Sequence, residues 1–160
     1  GLEKNDKTTL QLETIQAIDL ITSAVSGLTP KAEDKNIQIE VKCDDSIIMN
    51  VYPLLAEQAV INLVDNAIKY SDNDTKIKVK VEQRANGKCC IKVKDKGCGI
   101  SQEQQARIFE RFYRVDKARS RDSGGTGLGL SIVKHIAITH NGSINVKSSV
   151  GSGSEFTLCI

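Results

Sequence analysis

The chain lacks both the long apolar runs of a membrane-spanning protein and the charge excess of a nucleic-acid-binding protein. No apolar stretch approaches the roughly 18 residues that a transmembrane helix requires, and no signal peptide opens the chain. Its 22 basic and 20 acidic residues give a net charge of +2, too small to indicate a nucleic-acid or membrane-surface partner. Internal repeats and low-complexity tracts are absent as well. What remains is the composition of a soluble globular domain.

The cysteines also lack the spacing of a metal or redox site. The chain has five, an odd number, and none lies in a Cys-x-x-Cys pair. Adjacent Cys89 and Cys90 are expected to point to opposite faces of a strand. We therefore predict reduced thiols, as in cytosolic proteins, at Cys43, Cys89, Cys90, Cys98 and Cys159.

The length of 160 residues fits a single domain over 1–160, and 39% hydrophobic with 26% charged residues suits a buried core. The first residue is Gly rather than Met, which favours a fragment in which residues 1–9 are a leftover linker or tag. A membrane anchor of the parent protein is then expected outside this chain.

Hydrophobic periodicity predicts helices and strands that do not alternate strictly. The predicted strands cover 9–14, 37–41, 47–49, 76–83, 88–94, 143–148 and 154–160. The predicted helices cover 17–34, bent or divided at Pro30, and 52–70, 102–109 and 128–140, the last ended by Asn141-Gly142. Residues 151–154 are interpreted as a turn into the last strand. A doubly wound parallel sheet is disfavoured, and a mixed sheet with helices on one face fits better.

The helix predicted over 52–70 carries two asparagines on its polar side. Asn62, Asn66 and Lys69 follow one another at i, i+4 and i+7, opposite the apolar positions. Asparagine is a poor helix former, and Glu or Lys would serve solubility better, so these residues indicate function. An Asn carbonyl oxygen suits Mg²⁺, and the amide can donate to a phosphate oxygen.

Asp95 directly follows a predicted strand and begins the segment Asp-x-Gly-x-Gly-Ile. A carboxylate at a strand end can accept a hydrogen bond from an amino group. Gly97 and Gly99 permit positive φ and close approach of a ligand. Taken alone, the same pattern is that of an ordinary turn.

A second glycine-rich segment, Gly125-Thr-Gly-Leu-Gly-Leu, begins the last predicted helix. Its free backbone N–H groups can meet a phosphate at the helix N-terminus. No Gly-Lys-Ser/Thr follows, which excludes a P-loop, and the Rossmann pattern of a preceding strand and a later acidic residue is missing. The polar stretch 115–125 before it is predicted to be a mobile lid.

These three segments, with Phe109-Glu-Arg-Phe-Tyr-Arg114 between the last two, resemble the N, G1, F and G2 boxes of the catalytic, ATP-binding domain of bacterial sensor histidine kinases. The resemblance runs from about residue 10 to residue 160. It implies an α/β two-layer sandwich of the Bergerat type, with a mixed, mostly antiparallel sheet packed on about three helices. It also implies that the domain binds ATP with Mg²⁺.

The resemblance assigns the nucleotide's parts to separate boxes. Asn66 would ligate Mg²⁺, and Asn62 would support the phosphates. Lys69 and Tyr70 would lie along the phosphates and ribose, with Asn62 and Lys69 contributing to catalysis. Asp95 would receive the exocyclic N–H of adenine, which favours ATP over GTP because guanine presents a carbonyl there.

The F box and the glycine segments complete the implied site. Phe109 and Phe112 would anchor the loop, while Tyr113 and Arg114 would face the nucleotide. Arg114 would also stabilise charge on the transferring phosphoryl group. The remaining implied nucleotide-binding residues are Gly97, Gly99, Ile100, Gly125, Thr126, Gly127, Leu128, Gly129 and Leu130.

Neither histidine matches the phosphoacceptor of this family. His135 and His140 lie on the last predicted helix, outside the acidic, Arg-containing motif that surrounds the acceptor. The acceptor and its dimerising helical hairpin are therefore expected on a separate domain, from which an Asp of a response regulator would take the phosphoryl group. The resemblance implies a membrane-bound homodimeric parent with this portion in the cytoplasm, and the fragment itself is expected to be monomeric.

Three alternatives stay open. Clamp-type relatives (gyrase B, mismatch-repair ATPases, large heat-shock chaperones) carry a water-activating Glu where this chain has Asn62, which cannot act as a general base, so slow hydrolysis is expected. Anti-sigma-factor serine kinases share the first two boxes, but the segment 109–114 argues against them. The third alternative is a nucleotide-sensing or docking module without transfer activity.

Overall fold

Five strands form the main sheet of the structure, a computed structural model that describes residues 11–114 and 128–160. They are β2 (Gln38–Lys42), β4 (Lys76–Gln83), β5 (Cys89–Lys94), β6 (Ser143–Ser148) and β7 (Ser154–Cys159). Across the sheet they follow the order β2-β4-β5-β7-β6, where β2–β4 is a parallel pair and the other three pairs are antiparallel. A separate antiparallel pair joins β1 (Glu13–Gln16) to β3 (Ile48–Val51). The predicted mixed, mostly antiparallel sheet is confirmed.

Helices cover one face of this sheet. They are α1 (Ala17–Ser26), α2 (Thr29–Asp34), α3 (Pro53–Tyr70), α4 (Gln102–Gln105) and α5 (Gly129–Thr139). The long helix α3 contacts both α1 and α5. Pro30 lies in the first turn of α2, so the predicted division there is confirmed. The helix predicted over 102–109 is wrong beyond residue 105, where the chain continues in turns.

The core lies between the sheet and the helices. Along β4 the residues Ile77, Val79 and Val81 are buried, whereas the lysines between them are exposed, as the period-2 alternation predicts. The outer face is therefore polar, and Lys78 stands opposite Lys94 across β4 and β5. None of the helices in the described ranges combines the length and the apolar character that crossing a bilayer requires.

Local sequence signals set the ends of the two helices that flank the candidate site. Tyr52 is extended, as residues before proline prefer, and Pro53 occupies the first turn of α3. At the end of α5, Asn141 adopts φ 54°, and the N–H of Gly142 donates to the carbonyl of Ala137 at 2.8 Å. This is a Schellman ending, which confirms the predicted C-cap.

His140 ties these two helices together. The backbone N–H of Tyr52 donates to His140 Nε2 at 3.1 Å. Because Nε2 of His140 accepts this bond, the ring proton is on Nδ1, which donates to the carbonyl oxygen of Ile136 at 2.8 Å. With both ring nitrogens bonded inside the protein, His140 has a structural role.

The prediction that all cysteines are reduced is wrong, because Cys90 and Cys159 form a disulfide. These residues stand opposite each other on β5 and β7, with their Cα atoms 4.1 Å apart. The neighbouring residues Cys89 and Ile160 exchange both backbone hydrogen bonds and form a hydrogen-bonded pair. Cys90 and Cys159 are therefore the next, non-hydrogen-bonded pair, in which the two Cα atoms lie closer together. The other three cysteines are free, with Cys89 buried and Cys98 exposed.

Reducing this disulfide should lower the free energy of unfolding by about 4 kcal/mol. The bond joins residues 69 positions apart, so breaking it increases the conformational entropy of the unfolded chain. Urea unfolding with and without a phosphine reductant measures the difference. The double variant Cys90→Ser/Cys159→Ser is the control, because its midpoint should not respond to reductant. Equal midpoints for the oxidised and reduced wild type would contradict the expectation.

Candidate functional site

A buried carboxylate marks the centre of the candidate site. Asp95 follows β5 directly and is only 3% exposed. Its Oδ1 accepts hydrogen bonds from the backbone N–H of Gly97 at 2.9 Å and of Ser154 at 3.2 Å. Burial raises the pKa of the Asp95 carboxyl above its ordinary value, although the two N–H donors partly offset this effect. Asp95 is thus a strong acceptor held in a fixed place.

The glycines after Asp95 allow backbones to pack closely around it. A Cβ on Gly97 would lie 2.2 Å from the carbonyl oxygen of Tyr70, and Ser71 forms a β-bridge with Gly97. Gly99 has φ 75°, and a Cβ there would lie 2.0 Å from the carbonyl oxygen of Ser149. The expectation of positive φ is confirmed for Gly99 and wrong for Gly97, whose requirement is the close contact with the end of α3.

The turn before β7 also packs against Asp95, which the sequence did not reveal. Residues 151–154 do form a turn, with Gly151 at φ 85° and Gly153 at φ 78°. A Cβ on Gly153 would lie 2.2 Å from the carbonyl oxygen of Asp95. Ser154 supplies one of the two N–H groups that hold the carboxylate. The Gly-x-Gly spacing of residues 151–153 is the sequence signal that could have indicated this close packing, although it also fits a simple turn.

Two further serines contact the segments that surround Asp95. Ser148 Oγ accepts a hydrogen bond from the backbone N–H of Ile100 at 2.8 Å and donates one to the carbonyl oxygen of Gly153 at 2.8 Å. Ser71 is fully buried, and its Oγ has no hydrogen-bond partner within residues 11–114 and 128–160. Neither serine was predicted, because neither belongs to a recognisable spacing.

Asn62 joins α3 to the beginning of α5. Its Nδ2 donates to the carbonyl oxygen of Gly129 at 3.2 Å, and its Oδ1 accepts from Gln58 at 2.7 Å. Asn66 follows one turn later and is partly buried. Lys69 pairs with Asp65 at 3.3 Å. The structure thus brings the asparagine helix and the helix that begins with Gly129 into contact.

The aromatic segment 109–114 is anchored by one phenylalanine rather than two. Phe109 packs edge-to-face on Phe156, with ring centroids 6.2 Å apart. Phe112 is 63% exposed, and among the described residues the guanidinium of Arg111 lies over its ring, at 5.4 Å from the centroid. Its backbone has φ 66°, a left-handed turn that directs the side chain away from the core. The prediction that Phe112 anchors the loop is therefore wrong.

The other predicted residues of this part of the chain divide between described and undescribed positions. Tyr113 is partly buried, with the Arg107 guanidinium 4.7 Å from the centre of its ring, and Arg114 is also partly buried. Leu128, Gly129 and Leu130 begin α5. Gly125, Thr126, Gly127 and the predicted lid 115–125 lie outside the described residues.

A ready-made metal cage is absent from the described part of the chain, where no group of three or more Cys, His, Asp or Glu side chains could hold an ion. Mg²⁺ usually keeps several waters and binds one or two protein oxygens together with substrate phosphates. The amide oxygen of Asn66 is a ligand of that kind. Its role in binding Mg²⁺ stays a prediction.

Comparison with known proteins gives consistent results. The family described as histidine kinase-, DNA gyrase B-, and HSP90-like ATPase matches residues 50–160. The sensor-like histidine kinase SenX3 of Mycolicibacterium smegmatis is 44% identical over 149 residues, which cover 93% of this chain and 38% of the relative. The signal transduction histidine-protein kinase ArlS of Staphylococcus aureus is 38% identical over 148 residues, or 92% of this chain and 32% of the relative. The chain thus spans about a third of the length of these relatives.

Solved structures show the same architecture. The nucleotide-free catalytic domain of histidine kinase ThkA superposes with a TM-score of 0.82 at 26% identity, covering 94% of this chain and 95% of that one. Full-length ShkA in complex with AMPPNP gives a TM-score of 0.78 at 25% identity, covering 94% of this chain and 31% of that one. The likeness extends over the helical layer and the sheet that together frame Asp95.

Replacing Asp95 by Asn should raise thermal stability at pH 7. Asn can accept the same two N–H groups, while the buried charge is removed. Because the pKa of Asp95 is raised on folding, its protonation favours the folded state, and that stabilisation is lost as pH rises through the folded-state pKa. The gain in Tm should therefore be large at pH 7 and small near about pH 3, below the ordinary Asp pKa.

Differential scanning calorimetry of Asp95→Asn across this pH range makes the measurement. Asp45→Asn, an exposed carboxyl in the turn before β3, is the matched control and should change Tm little. A lower Tm for Asp95→Asn at pH 7 would show that the charge stabilises the fold.

Proposed function

Because this chain belongs to the histidine kinase-, DNA gyrase B- and HSP90-like ATPases, as the catalytic domain of a sensor histidine kinase, we propose that it binds Mg·ATP and donates the γ-phosphate to a histidine on a separate dimerisation domain. One observation carries the proposal. The buried carboxylate of Asp95 lies in a loop that packs on the end of α3, the helix that also presents Asn62 and Asn66. A base-recognition group and phosphate-binding groups thus belong to one rigid unit.

Adenine recognition is assigned to Asp95. Its carboxylate accepts from two backbone N–H groups at one oxygen, Oδ1, which leaves Oδ2 to accept the exocyclic amino group of adenine. A guanine base would place a carbonyl oxygen against the same carboxylate. Two acceptors facing each other repel, so the pocket should favour ATP over GTP.

The phosphates and Mg²⁺ are assigned to the polar side of α3 and the beginning of α5. Asn66 would supply an amide oxygen to Mg²⁺, which neutralises phosphate charge when bound. Asn62 and Gly129 are already in contact, so the two helices converge where the phosphates would lie. Lys69 and Tyr70 extend this side towards the ribose. The AMPPNP bound by ShkA supports a nucleoside triphosphate as the ligand of this fold.

Catalysis on this chain would consist of positioning and charge stabilisation. Arg114 follows the anchored Phe109 segment and would neutralise charge on the transferring phosphoryl group. No carboxylate stands at position 62, where Asn62 instead bonds Gln58 and Gly129. An amide cannot take a proton from water, so hydrolysis should be slow and the phosphoryl group is kept for a positioned nucleophile.

The acceptor and the wider partners lie beyond this chain in the proposal. His140 is occupied by Tyr52 and Ile136 and is not a free nucleophile. The acceptor would be a histidine of the parent's dimerisation hairpin, and a receiver-domain Asp of a response regulator would take the phosphoryl group next. These partners belong to the proposal, which is supported by relatives named as sensor histidine kinases, and the proposal extends to a homodimeric, membrane-anchored parent with this domain in the cytoplasm.

Calorimetric titration should show Mg²⁺-dependent binding of ATP and at least about tenfold weaker binding of GTP, the cost of one mispaired buried acceptor. Asn66→Ala should remove the Mg²⁺ dependence, and Asp95→Ala should remove the preference for ATP. Asn50→Ala, an exposed residue on β3, is the matched control and should behave as the wild type. Wild-type protein that binds no nucleotide would contradict the proposal and favour a docking module.

Phosphoryl transfer should be recovered when a helical hairpin carrying the acceptor histidine is supplied separately with labelled ATP. Arg114→Ala should slow transfer by about 10²-fold, since it removes charge stabilisation while ATP binding is largely retained. Arg84→Ala, on the exposed β4–β5 turn, controls for the loss of an arginine. Release of inorganic phosphate without a labelled hairpin would instead support a clamp-type ATPase.

A further inference from the structure

The ammonium group of Lys35 sits at the carboxyl end of α3. Its Nζ donates to the carbonyl oxygens of Ile68 at 2.7 Å, Lys69 at 3.2 Å and Ser71 at 2.7 Å. The last carbonyls of a helix have no partner within the helix and carry the negative end of its dipole. A lysine has three N–H donors, so one side chain satisfies two of these acceptors, in Ile68 and Lys69, together with the carbonyl of Ser71 just after the helix.

The carbonyls that Lys35 holds belong to the segment that supports Asp95. Immediately after them, the Tyr70 carbonyl packs on Gly97 and Ser71 forms the β-bridge with Gly97. Gly97 in turn donates its N–H to Asp95 Oδ1. A short series of contacts therefore leads from the Lys35 ammonium through the end of α3 to the buried carboxylate.

Lys35 is itself fixed on both sides. Its backbone carbonyl accepts from the N–H of Asp74 at 3.0 Å, and Asn36 Nδ2 donates to Asp74 Oδ1 at 2.7 Å. Asn36 and Asp74 adopt φ values of 52° and 64°, so both loops turn sharply at this contact. The segment after α2 and the segment after α3 are thus joined by the Lys35 backbone and the Asn36 side chain. These bonds fix the backbone that carries the Lys35 ammonium group.

We propose that Lys35 is a positioning residue for base recognition: by holding the end of α3 against Gly97, it fixes the Asp95 carboxylate where it distinguishes adenine from guanine. The proposal rests on the proposed function, since it concerns the same nucleotide pocket. No direct contact between Lys35 and the base is part of this proposal. It acts through the Ser71–Gly97 bridge, and its effect should appear in selectivity more than in phosphate or Mg²⁺ binding.

The test is the ratio of ATP to GTP affinity, measured by competition against a fluorescent nucleotide in Mg²⁺. Lys35→Met keeps the aliphatic stem and removes all three donors, and it should lower this ratio by about tenfold, the effect expected for losing charge-assisted hydrogen bonds. Lys35→Arg, which keeps a charged multi-donor group, should restore most of the ratio. A role in stability alone would lower Tm and leave the ratio unchanged.

Lys31→Met is the matched control, because Lys31 also links α2 to α3 but does so through the Asp65 side chain at 3.1 Å. It should keep the wild-type ratio. If circular dichroism shows that Lys35→Met is unfolded, Lys35→Gln, which retains two donors without the charge, is measured in the same way and decides the question.

The outcomes separate this inference from the proposed function. An unchanged ATP-to-GTP ratio in folded Lys35→Met or Lys35→Gln overturns the inference while leaving ATP binding intact. A reduced ratio that Lys35→Arg restores supports it. Wild-type protein that binds neither nucleotide overturns the proposed function, and the inference falls with it.

Discussion

A carboxylate that is removed from water needs hydrogen-bond donors, and the folding of this chain supplies two of them to Asp95 and supports one of the two from a third side. Gly97 donates from the loop that follows β5, and Ser154 donates from the beginning of β7. The end of α3 closes the third side through its contact with Gly97. Each of these contacts needs a backbone that comes closer than a side chain would allow. The glycines around Asp95 are therefore a consequence of the buried charge.

Helix α3 connects this requirement to the rest of the molecule. Its apolar side, including Leu63 and Val64, is fully buried in the core. Its polar side carries Asn62, which bonds the first residue of α5. Because the same helix ends against Gly97, a shift along its axis would disturb both Asn62 and the loop that holds Asp95. In the proposed site, a rigid helix would thus keep the phosphate-binding and base-binding residues in register.

Local patterns were sufficient to predict most of the fold. The alternation in β4, Pro53 at the beginning of α3 and Asn141-Gly142 at the end of α5 each act within a few residues, and each predicted element was found. The resemblance of the four boxes to a known family was equally informative, because the model of that family matches residues 50–160.

What could not be predicted depends on residues that are distant in sequence. The disulfide forms because the register of β5 with β7 places Cys90 opposite Cys159, and no local pattern specifies that register. Gly97 does not use the positive φ that glycine permits, and the carbonyl it must accommodate belongs to Tyr70 on another element, which no local pattern specifies. Phe112 follows the family pattern, yet its left-handed backbone is set by the turn in which it lies.

The hydrogen bond between Ser154 and Asp95 spans 59 residues, and this separation has a consequence for folding. Contacts between residues far apart in the chain form slowly, because loop closure opposes them until the intervening structure is in place. A chain in which β5 has paired with β4 but not with β7 would lack one donor to the Asp95 carboxylate. A ligand of this pocket would therefore bind only after the last strand has joined the sheet. Ligand binding would then stabilise the completed fold and none of its precursors.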